Sequence, residues 1–190
     1  MSGTGHTDHM SGTDRTDRDR AEDVGPGEPG PTLPRLDPPL QVVLVHPLIP
    51  PNTGNVARTC FVTGCGLHLV GPLGFSLDDA SLRRAGLDYW EALAPVLHRD
   101  WAAFEESELG GGPGRLHLFT GRAGRSLREV AFHPGDYLIF GQEQLGLPPA
   151  LLDAWPGRQV AIPMRPGQRS LNLAVAVGVA VYAAFASIPR

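Results

Sequence analysis

Apolar residues in this chain come in short unbroken runs set between glycine- and proline-rich loops. The runs of strand length are VVLV (42–45), LHLV (67–70), RLHLFT (115–120), DYLIFG (136–141) and QVAIPM (159–164). Runs that are apolar at successive positions predict strands covered on both faces, as in a parallel sheet. Stretches of helical character lie between them. HPLIPPNTGN (46–55) carries prolines that hold off a helix until Asn52 or Thr53 caps one, so a helix is expected over 55–64, closed by Gly64 and Gly66. Further helices are expected within SLDDASLRRAGLDYW (76–90), over DWAAFEESE (100–108) and over LPPALLDAW (147–155). The last helix, LNLAVAVGVAVYAAFAS (171–187), is apolar all round and predicts burial on several sides, in part by a second subunit. Strands alternating with helices give an α/β class with a mainly parallel sheet flanked by helices. In such folds ligands sit at the loops leaving the strand C-termini. Those are the loops this sequence decorates.

Composition divides the chain. The 190 residues hold 24 Gly and 19 Pro, and residues 1–39 alone contribute 6 of each, with 8 acids against 4 arginines. So polar a segment cannot offset its ordering entropy by burial, and 1–39 reads as an acidic, disordered extension ahead of a 40–190 domain. The whole chain carries −4, so the domain itself is neutral, which excludes an indiscriminate basic nucleic-acid binder but permits local patches. No apolar run reaches spanning length and no leader pattern opens the chain, giving the expectation of a cytoplasmic protein without membrane contact. Cys60 and Cys65 form no disulfide framework and read as reduced core residues. Lysine is absent, so anion sites must use guanidinium. The seven histidines are scattered without metal-ligand spacing, and His68 and His117 fall inside strand runs as packed side chains. Phosphate-loop, dinucleotide and nucleophile-elbow motifs are all missing.

Three segments stand out together: IPPNTGNVAR (49–58), LIFGQEQLGLP (138–148) and IPMRPGQRSLNLAVAV (162–177). In order and separation they resemble the three motifs of the SPOUT superfamily of RNA methyltransferases. The likeness runs from about Gln41 to Ser187 and includes RRAGLDYWE (83–91). It is nearest to the small group that methylates the ribose 2′-OH of the tRNA wobble nucleotide. The resemblance implies a C-terminal trefoil knot, a homodimer joined through it, S-adenosylmethionine as methyl donor (S-adenosylhomocysteine as product) without a metal, and a tRNA anticodon stem-loop as substrate.

By the same resemblance the cofactor is held at Phe119, Gly141, Ile162, Ser170 and Leu171. Arg58 is implied as the catalytic arginine. Because guanidinium is a poor base, its role reads as clamping phosphate and stabilising the developing alkoxide. Asn172 and Tyr182 complete the catalytic candidates, with helix capping and core packing as their alternatives. Asn55 and Glu143 are substrate-binding candidates, and Glu143 is equally able to contact the cofactor or fix its loop. Two arginine clusters, Arg115, Arg122, Arg125, Arg128 and Arg158, Arg165, Arg169, together with Arg83 and Arg84, supply cations for phosphate or merely solvated faces. Ala174 and Val175 depart from the serine and asparagine of the group, and His46 and Leu48 replace acids in the first motif loop. The departures keep two other readings open: methylation of another tRNA or rRNA ribose, and a silent RNA-binding dimer.

Overall fold

The computed structural model describes residues 1, 32–77, 90–109 and 115–189. Residues 2–31 of the expected tail, most of the 76–90 segment and the GGGPG loop lie outside the described residues. A compact unit runs from Leu33 to Arg190. Its centre is strand β1 (Gln41–Val45), followed by helix α1 (Pro50–Thr63), β2 (Gly66–Val70), β3 (Val96–His98), α2 (Trp101–Glu108), β4 (Leu116–Phe119), β5 (Tyr137–Phe140), α3 (Pro149–Ala154), β6 (Gln159–Val160) and α4 (Leu173–Ser187). The strands form one sheet in the order β3-β2-β1-β5-β4-β6, and every pairing within it is parallel.

The runs of apolar residues become strands because each pleat has a separate layer to bury against. From β1, Val42 and Leu44 enter a core with Val56, Ala57 and Cys60 of α1 and Val177, Ala180 and Val181 of α4. Val43 and Val45 enter a second core with Phe104 of α2 and Leu151 of α3. Four side chains of β1 are thus 0–1 % exposed, and burying each is worth about 1.5–3 kcal/mol relative to exposure. Cys60 and Cys65 are free and buried, and burial pushes both thiols up from their ordinary range.

Several expectations change. Helix α1 starts at Pro50, not near residue 55, because Pro50 and Pro51 occupy its first positions, where a missing N–H costs nothing. Ile49 precedes it without a side-chain cap, and Gly64, at φ +71°, closes it in the left-handed conformation. Strand β3 had no forecast: it has three residues, two of them exposed. The expected 159–164 strand keeps only Gln159 and Val160. Helix α4, expected to be covered in part by a second subunit, leaves Val175, Val179 and Tyr182 exposed along one side of the single chain.

His68 and His98, thirty residues apart, meet beneath the β3 edge, where no metal-ligand spacing had been legible. His68 Nδ1 lies 3.0 Å from His98 Nε2, and His68 Nε2 lies 3.1 Å from Gln41 Oε1. Burial pushes His68 down to about 4 against the opposing pull of the Glu108 carboxylate, and burial likewise lowers His98, so both rings are neutral at pH 7. Phe104 presents its edge geometry to both imidazoles, with centroids at 5.7 and 5.2 Å. Phe104→Ala is expected to destabilise the domain by about 3–5 kcal/mol, read as a lower urea midpoint at unchanged slope.

Candidate active site

Asn52, Glu143 and Asn172 come from the three unusual segments, and they are bonded to one another. Glu143 follows β5 by three residues and turns its carboxylate toward the entrance of α1. There it accepts from the backbone N–H of Leu48 (2.9 Å) and of Ile49 (3.2 Å) and from Asn52 Nδ2 (3.1 Å). Asn52 uses its other end as well: its Oδ1 accepts from Asn172 Nδ2 at 2.9 Å. Asn172 in turn caps α4, its Oδ1 accepting from the N–H groups of Ala174 (2.9 Å) and Val175 (3.3 Å). One continuous chain of hydrogen bonds therefore ties all three loops together.

Beside this network a cavity of about 940 Å³ opens at the C-terminal ends of β4, β5 and β6. Phe119 and Phe140, stacked with centroids 4.6 Å apart, close its sheet end. Its walls are the 141–146 loop and the 162–171 segment, and Arg122 and Arg169, both exposed, lie among the lining residues. Gly141 backs directly onto the main chain of Gly146 and Leu147, so a Cβ there would collide with backbone that cannot move aside. Gly146 itself adopts φ +73°, which a residue with a side chain rarely takes. The second-motif loop is thus folded back on itself, with Gly146 N–H donating to the carbonyl of Gln142 at 2.9 Å.

The sequence-derived candidates fall into two groups. Phe119, Gly141, Ile162, Ser170, Leu171 and Glu143 all line the one cavity. Arg58, Asn55 and Tyr182 lie elsewhere: Arg58 and Asn55 are exposed on α1, and Tyr182 is 54 % exposed on α4. Asn172 takes the capping role given as its alternative, and its amide nitrogen reaches Asn52. Glu143 takes the loop-fixing role, since both carboxylate oxygens are engaged by its own chain. Tyr182 is not a core residue. Sequence reading passed over Asn52 except as a helix cap; the signal for it was its place in the first motif, IPPNTGN.

Comparison with known proteins bears on the whole of this unit. The model of the SpoU rRNA Methylase family matches residues 39–182. The chain belongs to this family. A tRNA (cytidine(34)-2′-O)-methyltransferase of Burkholderia pseudomallei is 54% identical over 145 residues, covering 76% of this chain and 92% of the relative. The enzyme of the same name from Escherichia coli K12 is 49% identical over 147 residues, covering 77% and 92%. Among solved structures, one described as giving structural insights into the 2-OH methylation of C/U34 on tRNA is 49% identical, with TM-score 0.73 and coverage of 78% and 95%. A putative RNA methyltransferase from Bacillus anthracis is 38% identical, with TM-score 0.70 and coverage of 78% and 93%. As in this SpoU-family chain, a parallel α/β sheet carries the fold.

The network makes a direct prediction. Asn52→Ala leaves Glu143 short of one donor and Asn172 short of its acceptor, and is expected to cost about 1–3 kcal/mol in urea unfolding at pH 7. Asn52→Asp sets a carboxylate against Glu143 and raises the folded-state pKa of the new acid, so its deficit is present at neutral pH. That deficit is expected to shrink as pH falls through the carboxylate range, which parallel unfolding curves at neutral and acidic pH will check.

Proposed function

We propose that this SpoU-family chain transfers a methyl group from S-adenosylmethionine to the ribose 2′-OH of nucleotide 34 of tRNA, the wobble position, as cytidine or a modified uridine. The observation that carries the reading is the joining of the three motif loops around one cavity, in a chain about half identical to named C34 methyltransferases over the same unit.

The cavity fits the cofactor on two counts. Its volume suits a nucleoside-sized ligand, and the tight apposition of Gly141 to the 146–147 backbone presents main-chain groups where a side chain would fill the space. Phe119, Gly141, Ile162, Ser170 and Leu171 would hold it. When bound, S-adenosylmethionine would supply an activated methyl carbon on a cationic sulfur, a leaving group able to keep the C–S electron pair as the 2′-oxygen takes the methyl. What the chain must add is orientation of the hydroxyl and accommodation of the charge that develops as its proton departs. Arg58 is assigned that task, clamping phosphate and stabilising the alkoxide, with Asn55 and Tyr182 positioning the ribose. Arg122, Arg165 and Arg169 are exposed near the cavity segments and suit the anticodon-loop backbone.

Pairing of two chains belongs to this reading. Leu171 lines the cavity and also begins an exposed apolar line along α4 through Val175, Val179 and Tyr182. A homodimer closed over that line would cover it and set Arg58 of one chain toward the cavity of the other. The trefoil knot belongs here too. In its support, Ala161 exchanges backbone hydrogen bonds with the 125–127 loop, after which the chain returns to pack α4 against α1. A tRNA substrate assigns the protein to the cytoplasm.

Titration with S-adenosylhomocysteine is expected to give micromolar binding, about −8 kcal/mol. Methyl groups transferred to full-length tRNA are expected at the 2′-oxygen of nucleotide 34, and a 2′-deoxy nucleotide there is expected to abolish transfer; label elsewhere would reassign the substrate. Arg58→Ala should lower the transfer rate by about 10²-fold or more while leaving S-adenosylhomocysteine affinity unchanged. Val179→Arg is expected to yield monomers by light scattering and to lose transfer.

A further inference from the structure

On the face of the sheet away from α1 and α4, His68 of β2, His98 of β3 and Glu108 of α2 bring one ligand atom each to within 4.8 Å of one another. None of the three lines the cavity. His68 Nδ1 stands 3.0 Å from His98 Nε2 and 4.0 Å from Glu108 Oε1. Ligands of tetrahedral zinc, bonded at about 2.0–2.1 Å, are about 3.3 Å apart, so the two imidazoles already stand near that spacing and a change of side-chain rotamer at Glu108 closes the third corner.

The far side of each ligand is also furnished. His68 Nε2 lies against Gln41 Oε1, an acceptor only, which fixes the proton on Nε2 and leaves the Nδ1 lone pair facing the cluster. His98 Nδ1 faces Ser107 Oγ at 3.4 Å, a group able to accept the ring proton once Nε2 is given to a metal. Glu108 Oε2 accepts from the Tyr137 hydroxyl at 3.4 Å, while Oε1, on the cluster side, accepts from Ser107 Oγ at 3.3 Å and keeps a second lone pair. Two imidazoles and a carboxylate, each with its outer atom held, match the donor set and outer shell of zinc rather than of magnesium or calcium, which take oxygen ligands. Both histidine side chains are buried, while Glu108 is 24 % exposed, so the cluster borders solvent on its Glu108 side.

We propose that His68, His98 and Glu108 bind a zinc-class divalent ion that fastens β3 and α2 to β2, a structural site separate from methyl transfer. A three-residue edge strand has few ladder bonds of its own, so a cross-link at this point reinforces a short edge of the sheet.

The test uses the full chain, stripped with chelator and titrated with Zn²⁺ and, separately, Co²⁺. One Zn²⁺ per chain is expected, with a strong visible ligand-field spectrum for tetrahedral Co²⁺ lacking thiolate charge-transfer bands. At a metal concentration about a hundred times Kd the thermal midpoint should rise by about 5–10 °C. His98→Gln should abolish binding. Glu108→Gln, at a partly exposed helix end that does not endanger folding, should weaken it by about 10²-fold or more; Gln41→Leu should weaken it by about 10–100-fold. S-adenosylhomocysteine affinity should be the same with and without metal. Absence of binding, or binding equally strong in Glu108→Gln, as a site on His6 and His9 would give, would overturn the proposal.

Discussion

The amide of Asn52 is the one side chain that the first, second and third loops have in common. An amide is needed there because one neighbour is an acceptor and the other a donor: Nδ2 gives a proton to Glu143 and Oδ1 takes one from Asn172. A carboxylate would repel Glu143 and a hydroxyl would be too short to reach both. Bonds to an ionised group contribute about 1.5–3 kcal/mol each, and a partner left unpaired costs at least as much as its bond contributed. Glu143 carries the constraint backward to the N–H groups of Leu48 and Ile49, fixing where α1 begins. Asn172 carries it forward to the first turn of α4. The entrances of the two helices packed on the same sheet face are therefore set by a single polar chain. The cavity walls, the 141–146 loop and the 162–171 segment, hang from those fixed ends.

This arrangement bears on Ala174 and Val175, the two positions at which the resemblance implies serine and asparagine. Here the backbone N–H groups of both residues donate to Asn172 Oδ1. Capping uses main-chain donors that any residue but proline provides, so these substitutions leave the helix entrance and the neighbouring wall as they would be with serine and asparagine. The frame that shapes the cavity therefore does not depend on polar side chains at these two positions. Glu143 tells the complementary story. A carboxylate beside a cofactor cavity invites a ligand-binding role, yet three donors from its own chain occupy its oxygens.

How legible the molecule was in its sequence follows from the range of each interaction. Val42–Val45 declared a doubly covered strand because burial on both pleats leaves an unbroken apolar run. Helix α2 was legible over 100–108, and its first residue in that span, Asp100, is the cap that accepts from Ala103 N–H at 2.9 Å. The prolines at 50 and 51 misled, since the same ring that breaks a helix interior is welcome in its first turn. Strand β3 was silent because Val96 and Leu97 are exposed at the sheet edge and its ladder is only three residues long. The cavity-lining residues were reached through resemblance to known motifs, not through any local pattern. The bonds from Glu143 to Leu48 and from Asn172 to Asn52 span 95 and 120 residues, and no window along a sequence contains both partners.

The apolar character of α4 was legible, and how much of it one chain covers matters for how the site works. A 15-residue helix with a nearly all-apolar sequence reads as buried on several sides, in part by a second subunit, and one chain leaves one of its sides exposed. The side left over runs from the cavity wall at Leu171 to Tyr182. Arg58 and Asn55 sit on α1, which packs against this helix, and neither lines the cavity. A single chain thus places the proposed cofactor residues on one surface and Arg58 and Asn55 on another. A two-fold contact along α4, the proposed pairing, is self-complementary by construction and repeats each juxtaposition twice. It removes the exposed valines from water and joins the two surfaces in the same step. Under that pairing the apolar line and the incomplete site have a common cause, because the residues that hide the one complete the other.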